Sequence, residues 1–221
     1  MMVRWYGRLG YNAGLRLQDS LVEIQRSTGF EFLALLEHEA VYTIGRNPDQ
    51  SSLGAAALLP HPVHVINRGG QATYHGPGQL VAYPIIDLIR RGRDLYTYLR
   101  ALESAIIQIA GHFGVRAGRV ESKTGVWVGD RKLASIGVGV RKWVTMHGLA
   151  LNVASDLHGF QSITPCGLTG VQMTSLSLEA GQEIPLASVW QRAAIVIPEV
   201  LDAMGWHTKR ERSEGPGASS N

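Results

Sequence analysis

The chain holds one cysteine, Cys166, within Ser162-Ile163-Thr164-Pro165-Cys166-Gly167-Leu168. A structural cysteine usually sits in an apolar, periodic run as a small buried hydrophobe. This one stands in a loop sequence, with Pro165 fixing φ before the thiol and Gly167 leaving room beside it. These local cues leave two readings open, a nucleophile or a packing residue. A nucleophilic cysteine needs a neighbour to accept its proton or stabilise its thiolate, because a free thiol is mostly protonated near neutral pH. A lone cysteine excludes an intrachain disulfide and a zinc site made of several cysteines.

Lys132, His75 and His147 are the candidate partners. Strand alternation over residues 131–140 puts Lys132, Ala134, Ile136, Val138 and Val140 on one face, and Arg131, Leu133, Ser135, Gly137 and Gly139 on the other. Lys132 thus shares an apolar face, where a desolvated lysine can act as a proton shuttle. Its place at the start of the strand also lets the long stem snorkel to solvent, and strand position taken alone favours that second reading. His75 and His147 each have the side chain that cysteine nucleophiles commonly use. His61-Pro62-Val63-His64 has ligand-like spacing but no convincing third ligand, and His38-Glu39 lacks a second histidine four residues on. The chain has no Gly-Lys-Ser/Thr phosphate loop and no G-x-S-x-G elbow.

The stretch Arg68-Gly69-Gly70-Gln71-Ala72-Thr73-Tyr74-His75-Gly76-Pro77-Gly78-Gln79 lies between the apolar runs 63–67 and 80–87. Glycines there let the backbone take positive φ and approach a ligand closely. A structural turn needs few residues and little chemistry, so this long polar loop reads as a binding loop.

The elements that must position these residues follow from periodicity. Residues 10–28 read as a helix, with Leu17, Leu21 and Ile24 on one stripe. Residues 30–36, 41–44, 63–67 and 80–87 read as strands. Residues 94–113 form the clearest helix, capped by Asp94, with Leu99, Leu102, Ile106, Ile109 and Phe113 on one face. Strands follow at 125–128 and 131–140 around a Gly129-Asp130 turn, then at about 143–153. A last helix is expected over 186–204, opened by Pro185, with a disordered tail from about residue 208. Strands and helices mix without strict alternation, which favours an α+β mixed sheet with packed helices over a doubly wound one.

The 221 residues can bury a sizeable core, and 45% hydrophobic with 18% charged content is globular. No apolar run approaches the roughly eighteen residues of a membrane helix, so no membrane association is expected. The N-terminal residues lack an apolar leader, so a cytoplasmic location is expected. Net charge is +3. The basic clusters Arg90-Arg91-Gly92-Arg93, Arg131-Lys132 and Arg141-Lys142 read as solvated surface or as a docking face for an acidic partner. They lack interleaved stacking aromatics, which argues against nucleic acid.

The loop 68–79, Gly129-Asp-Arg-Lys-Leu-Ala-Ser-Ile-Gly137, His147-Gly-Leu-Ala-Leu-Asn-Val153 and Pro165-Cys-Gly167 occur in this order and spacing. Together they resemble the lipoyl(octanoyl) transferase family over roughly residues 5–205. The resemblance implies a fold shared with lipoate–protein ligases and the catalytic module of biotin–protein ligases. It implies a single catalytic domain over residues 1–207. It implies transfer of an octanoyl group from octanoyl-acyl carrier protein to a lysine of lipoyl domains, in 2-oxo acid dehydrogenases and the glycine-cleavage H protein. This is the first step of endogenous protein lipoylation, and it needs no cofactor and no metal. Carried over by position, Cys166 is the acyl-thioester nucleophile and Lys132 the acid/base lysine. Arg68, Gly69, Gly70, Gln71, Ala72, Thr73, Tyr74, His75, Ser135, Ile136, Gly137, Gly148, Leu149 and Ala150 are the substrate-binding segments. Ala72 and Leu168 depart conservatively from the family pattern.

A thioester donor is already activated, so ATP is not required, and passing the acyl group through a cysteine splits one hard step into two easier ones. An eight-carbon chain needs an apolar tunnel, worth about 0.8 kcal/mol per methylene buried. Gly137 and Gly139 are expected to leave room for it. Two rivals stand beside this reading: an ATP-dependent lipoate or biotin ligase on the same fold, which would not need Cys166, and a non-catalytic lipid- or carrier-binding module.

Overall fold

A computed structural model describes residues 1–46, 51–54, 58–164 and 170–204. Cys166, with its Pro165 and Gly167 neighbours, and the tail from residue 208 fall outside the described residues.

A seven-stranded sheet forms the centre, in the order β1-β2-β6-β10-β9-β8-β7. Its strands are β1 (Met2–Leu9), β2 (Phe32–His38), β6 (Gln79–Ile85), β7 (Gly118–Val120), β8 (Lys123–Val128), β9 (Arg131–Arg141) and β10 (Val144–Asn152). β1 and β2 pair in parallel across the crossover helix α1 (Tyr11–Thr28), and the other pairs are antiparallel. A second sheet runs β4-β3-β5, built from β3 (Val41–Ile44), β4 (Val63–Val65) and β5 (Thr73–His75). The mixed sheet is the α+β arrangement expected.

Two helices, α2 (Leu95–His112) and α4 (Leu186–Asp202), seal one face of the large sheet. Leu102, Ile106 and Ile109 of α2 are fully buried against Leu80, Ala82, Leu149 and Leu151, each contributing about 1.5–3 kcal/mol. Asp94 caps α2 by accepting the Thr97 amide at 3.0 Å, as expected. Pro185 stands at the N-cap of α4. Helix α1 covers the opposite face, with Leu21 and Val22 on Ala34, Leu36, Val81 and Ala150.

The Gly129-Asp130 turn joins β8 to β9, with Gly129 at φ +59, where a two-residue hairpin turn calls for glycine. The β9–β10 turn carries no such signal. Lys142 (φ +51) and Trp143 (φ +69) form it, so β10 starts one residue later than expected.

Several expectations are corrected. Ile24 is 44% exposed. The buried stripe of α1 runs Tyr11, Gly14, Gln18, Leu21, Val22 and Gln25, and polar Gln18 and Gln25 hide it in the sequence. Gln18 belongs there because its Oε1 accepts the His147 amide at 2.7 Å, where His147 takes φ +57 and leaves regular strand geometry. β1, β7 and the short helix α3 (Leu176–Ala180) were not foreseen. Strand β5 lies inside what reads as one continuous loop. Phe30 stays outside β2 and is exposed.

The basic clusters are not simple docking surfaces either. Arg91 is buried, bonded to Glu31 at 2.6 Å and to the Leu201 carbonyl at 2.7 Å, which ties α4 to the sheet. Arg131 forms a two-pronged pair with Glu179 at 2.8 and 2.9 Å.

Candidate active site

The glycine-rich loop is folded onto β9 by its own arginine. Arg68 donates from Nη1 to the Gly69 carbonyl (2.9 Å), and from Nη2 to Thr43 O (3.0 Å), Thr43 Oγ1 (2.9 Å) and Gln71 O (2.9 Å). The Gly69 amide then bonds the Val138 carbonyl at 3.0 Å. A planar, always charged guanidinium suits this task because its fork of donors can hold several carbonyls at once.

Gly137 and Gly139 make that docking possible. A Cβ at Gly137 would lie 2.8 Å from Arg68 Cδ, and one at Gly139 would lie 2.6 Å from Asn67 O. Both glycines admit the loop; Gly137 also borders the cavity described below, whereas Gly139 does not, which corrects the expectation that Gly139 leaves room for the tunnel. Gly148 is tighter still, with φ +157 and a hypothetical Cβ 2.3 Å from Ala82 O.

Between loop, β6, β9, β10 and the start of α1 lies a small cavity of about 50 Å³. Arg68, Gly70, Thr73 and His75 line it from the loop, Ser135, Ile136 and Gly137 from β9, and Gly148, Leu149 and Ala150 from β10. Three segments far apart in sequence therefore converge on one space. Tyr11, Val81, Tyr83 and His147 complete the wall. The two tyrosines and Val81 carried no sequence signal beyond lying in predicted elements. Gly69, Gln71, Ala72 and Tyr74 are not in the wall. Ala72 is buried with its amide on Ser52 Oγ, and Tyr74 packs against Tyr42 and Phe160.

Burial dominates the electrostatics. His75 is pushed down to about 3, first by burial, then by His38, and further by Arg68 and His147. His38 falls to about 4 through burial, and His147 to about 4 through burial and then Arg68. Burial raises the Tyr11 and Tyr83 phenols above their usual range. All three imidazoles are neutral at neutral pH and both phenols keep their protons. Imidazoles this acidic are weak proton acceptors, which counts against His75 or His147 as the base for a thiol.

Hydrogen bonds fix the tautomers. His38 Nδ1 donates to Leu9 O at 3.0 Å, so Nε2 accepts the Tyr83 hydroxyl at 2.6 Å. His64 and His61 instead lie tilted against the rings of Tyr11 and Tyr42.

Lys132, at the start of β9, is not among the residues that line this cavity. It is 2% exposed, so the snorkelling reading of its strand position is overturned. Its Nζ sits 5.3 Å from the centroid of the buried Trp127 ring, within cation–π range. Gly125, at φ +115, leaves the space its stem occupies, since a Cβ there would come within 3.0 Å of Lys132 Cε. The backbone of Lys132 is strapped to a segment that follows Cys166 in sequence: its amide bonds Gln172 O (2.8 Å) and its carbonyl accepts the Thr174 amide (2.9 Å). On the other side of Cys166 in sequence, the Thr164 amide bonds Ser52 O at 2.8 Å, and Ser52 Oγ holds Ala72 of the glycine-rich loop at 3.1 Å. Both flanks of the cysteine segment are thus anchored, one beside Lys132 and one beside the binding loop.

The lipoyl protein ligase A/B catalytic domain model matches residues 11–196. An octanoyltransferase of Geobacter metallireducens is 49% identical over 205 residues, covering 91% of this chain and 94% of that protein. Among solved structures, a lipoate-protein ligase A bound with ATP aligns at TM-score 0.71 and 18% identity, covering 91% of this chain and 86% of that one. The biotin protein ligase of Aquifex aeolicus aligns at TM-score 0.52 and 11% identity, over 91% and 69% of the two chains. The ligase likenesses establish the fold, and the half-identical relative establishes the branch. The chain belongs to the octanoyltransferases, acyltransferases built on the lipoyl protein ligase A/B catalytic domain.

Proposed function

We propose that this octanoyltransferase takes an octanoyl group from octanoyl-acyl carrier protein and passes it to a lysine of lipoyl domains through a thioester on Cys166. The acceptors are the lipoyl domains of 2-oxo acid dehydrogenases and the glycine-cleavage H protein. Residues 1–207 act as one catalytic domain, and the reaction takes place in the cytoplasm. Among the described residues no helix is long and apolar enough to cross a membrane.

The observation that carries the reading is the burial of Lys132 beside Trp127, with its backbone strapped to the segment that follows Cys166. In the first half-reaction the Cys166 thiol gives its proton to the Lys132 amine, and the thiolate attacks the donor carbonyl. The bond to the phosphopantetheine sulfur breaks, and the Lys132 ammonium returns the proton to that leaving thiolate. In the second, the acceptor amine attacks the acyl-cysteine carbonyl, and the bond to Cys166 sulfur breaks. Lys132 carries the proton from the amine to the Cys166 thiolate. Val81 and Ala150 offer the acyl chain apolar side chains, and the strands at Ile136 and Leu149 border the same cavity.

Intact-protein mass spectrometry tests this. After mixing with octanoyl-acyl carrier protein and no acceptor, one hydroxylamine-labile octanoyl adduct is expected, absent in Cys166→Ser. Normal turnover in Cys166→Ser would overturn the thioester route. A requirement for ATP with free octanoate would instead favour a ligase.

A further inference from the structure

Gln79 closes one of the sequence motifs that flank the cavity and Asn152 is the penultimate residue of another, and the acyl-transfer reading leaves both without a task. They face each other on neighbouring strands β6 and β10. Both are buried. Their hydrogen bonds run in one direction only. Asn152 Nδ2 donates to the Thr174 carbonyl at 2.9 Å, which fixes Asn152 Oδ1 as an acceptor. Gln79 Nε2 therefore donates to it at 2.9 Å, and to Tyr74 O at 3.3 Å. Gln79 Oε1 is then the acceptor that faces His75 Nδ1 at 2.8 Å. His75 must carry its proton on Nδ1, because an amide oxygen cannot donate. A backbone carbonyl at the far end thus sets the tautomer of a cavity histidine. The same residue, Thr174, bonds the Lys132 carbonyl through its amide.

We infer that His75 Nε2 is a fixed hydrogen-bond acceptor for the attacking amine of the acceptor lysine, with Gln79 and Asn152 as the residues that position it. The inference rests on the acyl-transfer reading above and assigns one substrate group within it. His75 lines the cavity with its Nδ1 engaged by Gln79, which leaves Nε2 as the ring nitrogen able to accept from a ligand. A neutral amine has two N–H groups and one lone pair. Donating one N–H to Nε2 leaves the lone pair to be aimed at the thioester carbonyl, a gain in orientation and not a proton transfer. The charge of Arg68, one of the causes that lower the His75 pKa, also disfavours a second cation nearby and so favours a neutral amine at this position. Register brings Gln79 and Asn152 toward Lys132: Asn152 pairs with Gln79, and along β10 its neighbour Leu151 pairs with Ala134, two residues from Lys132. The acceptor and the proton carrier are thereby tied to one backbone segment, residues 172–174.

The test separates the two half-reactions. Octanoyl-enzyme is formed with octanoyl-acyl carrier protein, then mixed with a lipoyl domain, and each step is timed by quenched-flow mass spectrometry. Gln79→Leu and His75→Ala are each expected to slow the lysine step about tenfold more than the acylation step, the size of one lost hydrogen bond in the transition state. Nitrogen-15 NMR of the wild-type enzyme should show His75 as the Nδ1–H tautomer, and Gln79→Leu should show a mixture. Acylation slowed as much as the lysine step would overturn the assignment, placing an amide of the pantetheine arm on Nε2 instead. A wild-type Nε2–H tautomer would overturn the relay itself, and that measurement stands even if a variant fails to fold. Absence of any wild-type adduct would sink the acyl-transfer reading while leaving the NMR result to judge the relay.

Discussion

The two faces of the central sheet are made from alternate residues of the same strands, yet they behave as different materials. On β6, Leu80 and Ala82 point into the seal under α2 and α4, while Val81 and Tyr83 turn to the other side. On β10, Leu149 and Leu151 join the sealed face, and Ala150 joins the other. The sealed face is almost wholly aliphatic. The open face carries Gln79, Tyr83, His147 and Asn152, and with α1 and the glycine-rich loop it encloses the cavity. The period of two along a strand keeps stability and chemistry apart within one set of hydrogen-bonded strands. A residue on one face can then be altered with little direct effect on the other, and that separation can be measured.

The largest expected effect is at Lys132, buried beside Trp127. Lys132→Arg keeps a charge but cannot shuttle a proton at workable pH, and Lys132→Ala removes both. Each should lower turnover by about 10²–10⁴-fold, the usual range for a positioned proton carrier. The pH at which Cys166 becomes alkylated should also rise in Lys132→Ala, because the thiolate loses its neighbouring cation. Near-normal turnover in Lys132→Arg with an unchanged alkylation profile would show that burial beside Trp127 serves packing alone.

Leu151→Ala probes the sealed face. Leu151 is fully buried between the sheet and its helices, so truncation should cost about 2–5 kcal/mol, read from urea unfolding. At temperatures where the variant stays folded, the nitrogen-15 signature of His75 should be unchanged. A shifted tautomer would mean that the two faces are mechanically coupled after all.

Much of this division was legible in the sequence. Leu102, Ile106 and Ile109 announced the helix that seals one face, and Asp94 announced its start. The motifs that line the cavity were visible as types and spacing, since glycine clusters beside polar residues seldom serve packing. What stayed hidden has physical causes. Gln18 and Gln25 are polar members of a buried stripe, tolerated because one of them satisfies the displaced amide of His147. Burial of Lys132 depends on room left by Gly125 and a ring supplied by Trp127 across the hairpin, and strand alternation alone reports neither. The loading of Gly137 and Gly139 by the loop backbone is likewise a contact between distant segments.

The open face should also show in the acid stability. His38, His75 and His147 have folded values of about 4, 3 and 4, against roughly 6.5 when unfolded. Their folded pKa values are depressed, so the unfolded chain binds more protons than the native one over that interval. Their contribution is complete above about pH 6.5 and is lost as pH falls toward 4, by up to about 1.4 kcal/mol per pH unit for each group. The urea midpoint should therefore decline from pH 6.5 to pH 4.5 and be insensitive to these groups from pH 6.5 to 8. Imidazole carbon-bound proton shifts that titrate near pH 6.5 in the folded enzyme would contradict the burial of the cluster.

The smallest expected effect belongs to Tyr83→Phe, which changes the open face by one oxygen. The ring, packed with Val81 and Ala150 under α1, stays. What goes is the hydroxyl that donates to His38 Nε2 at 2.6 Å, leaving that nitrogen without this donor in a fully buried ring. Losing one partner of a buried pair costs about 1–3 kcal/mol, less than truncating Leu151 on the sealed face. The relief open to the variant is protonation of His38, which the freed Nε2 permits but burial opposes. The loss should therefore be nearly constant from pH 8 to pH 6, read as the difference in urea midpoints between variant and wild type. A loss that vanished on mild acidification would mean that His38 readily takes a proton, and that the open face is wetter than its hydrogen bonds imply.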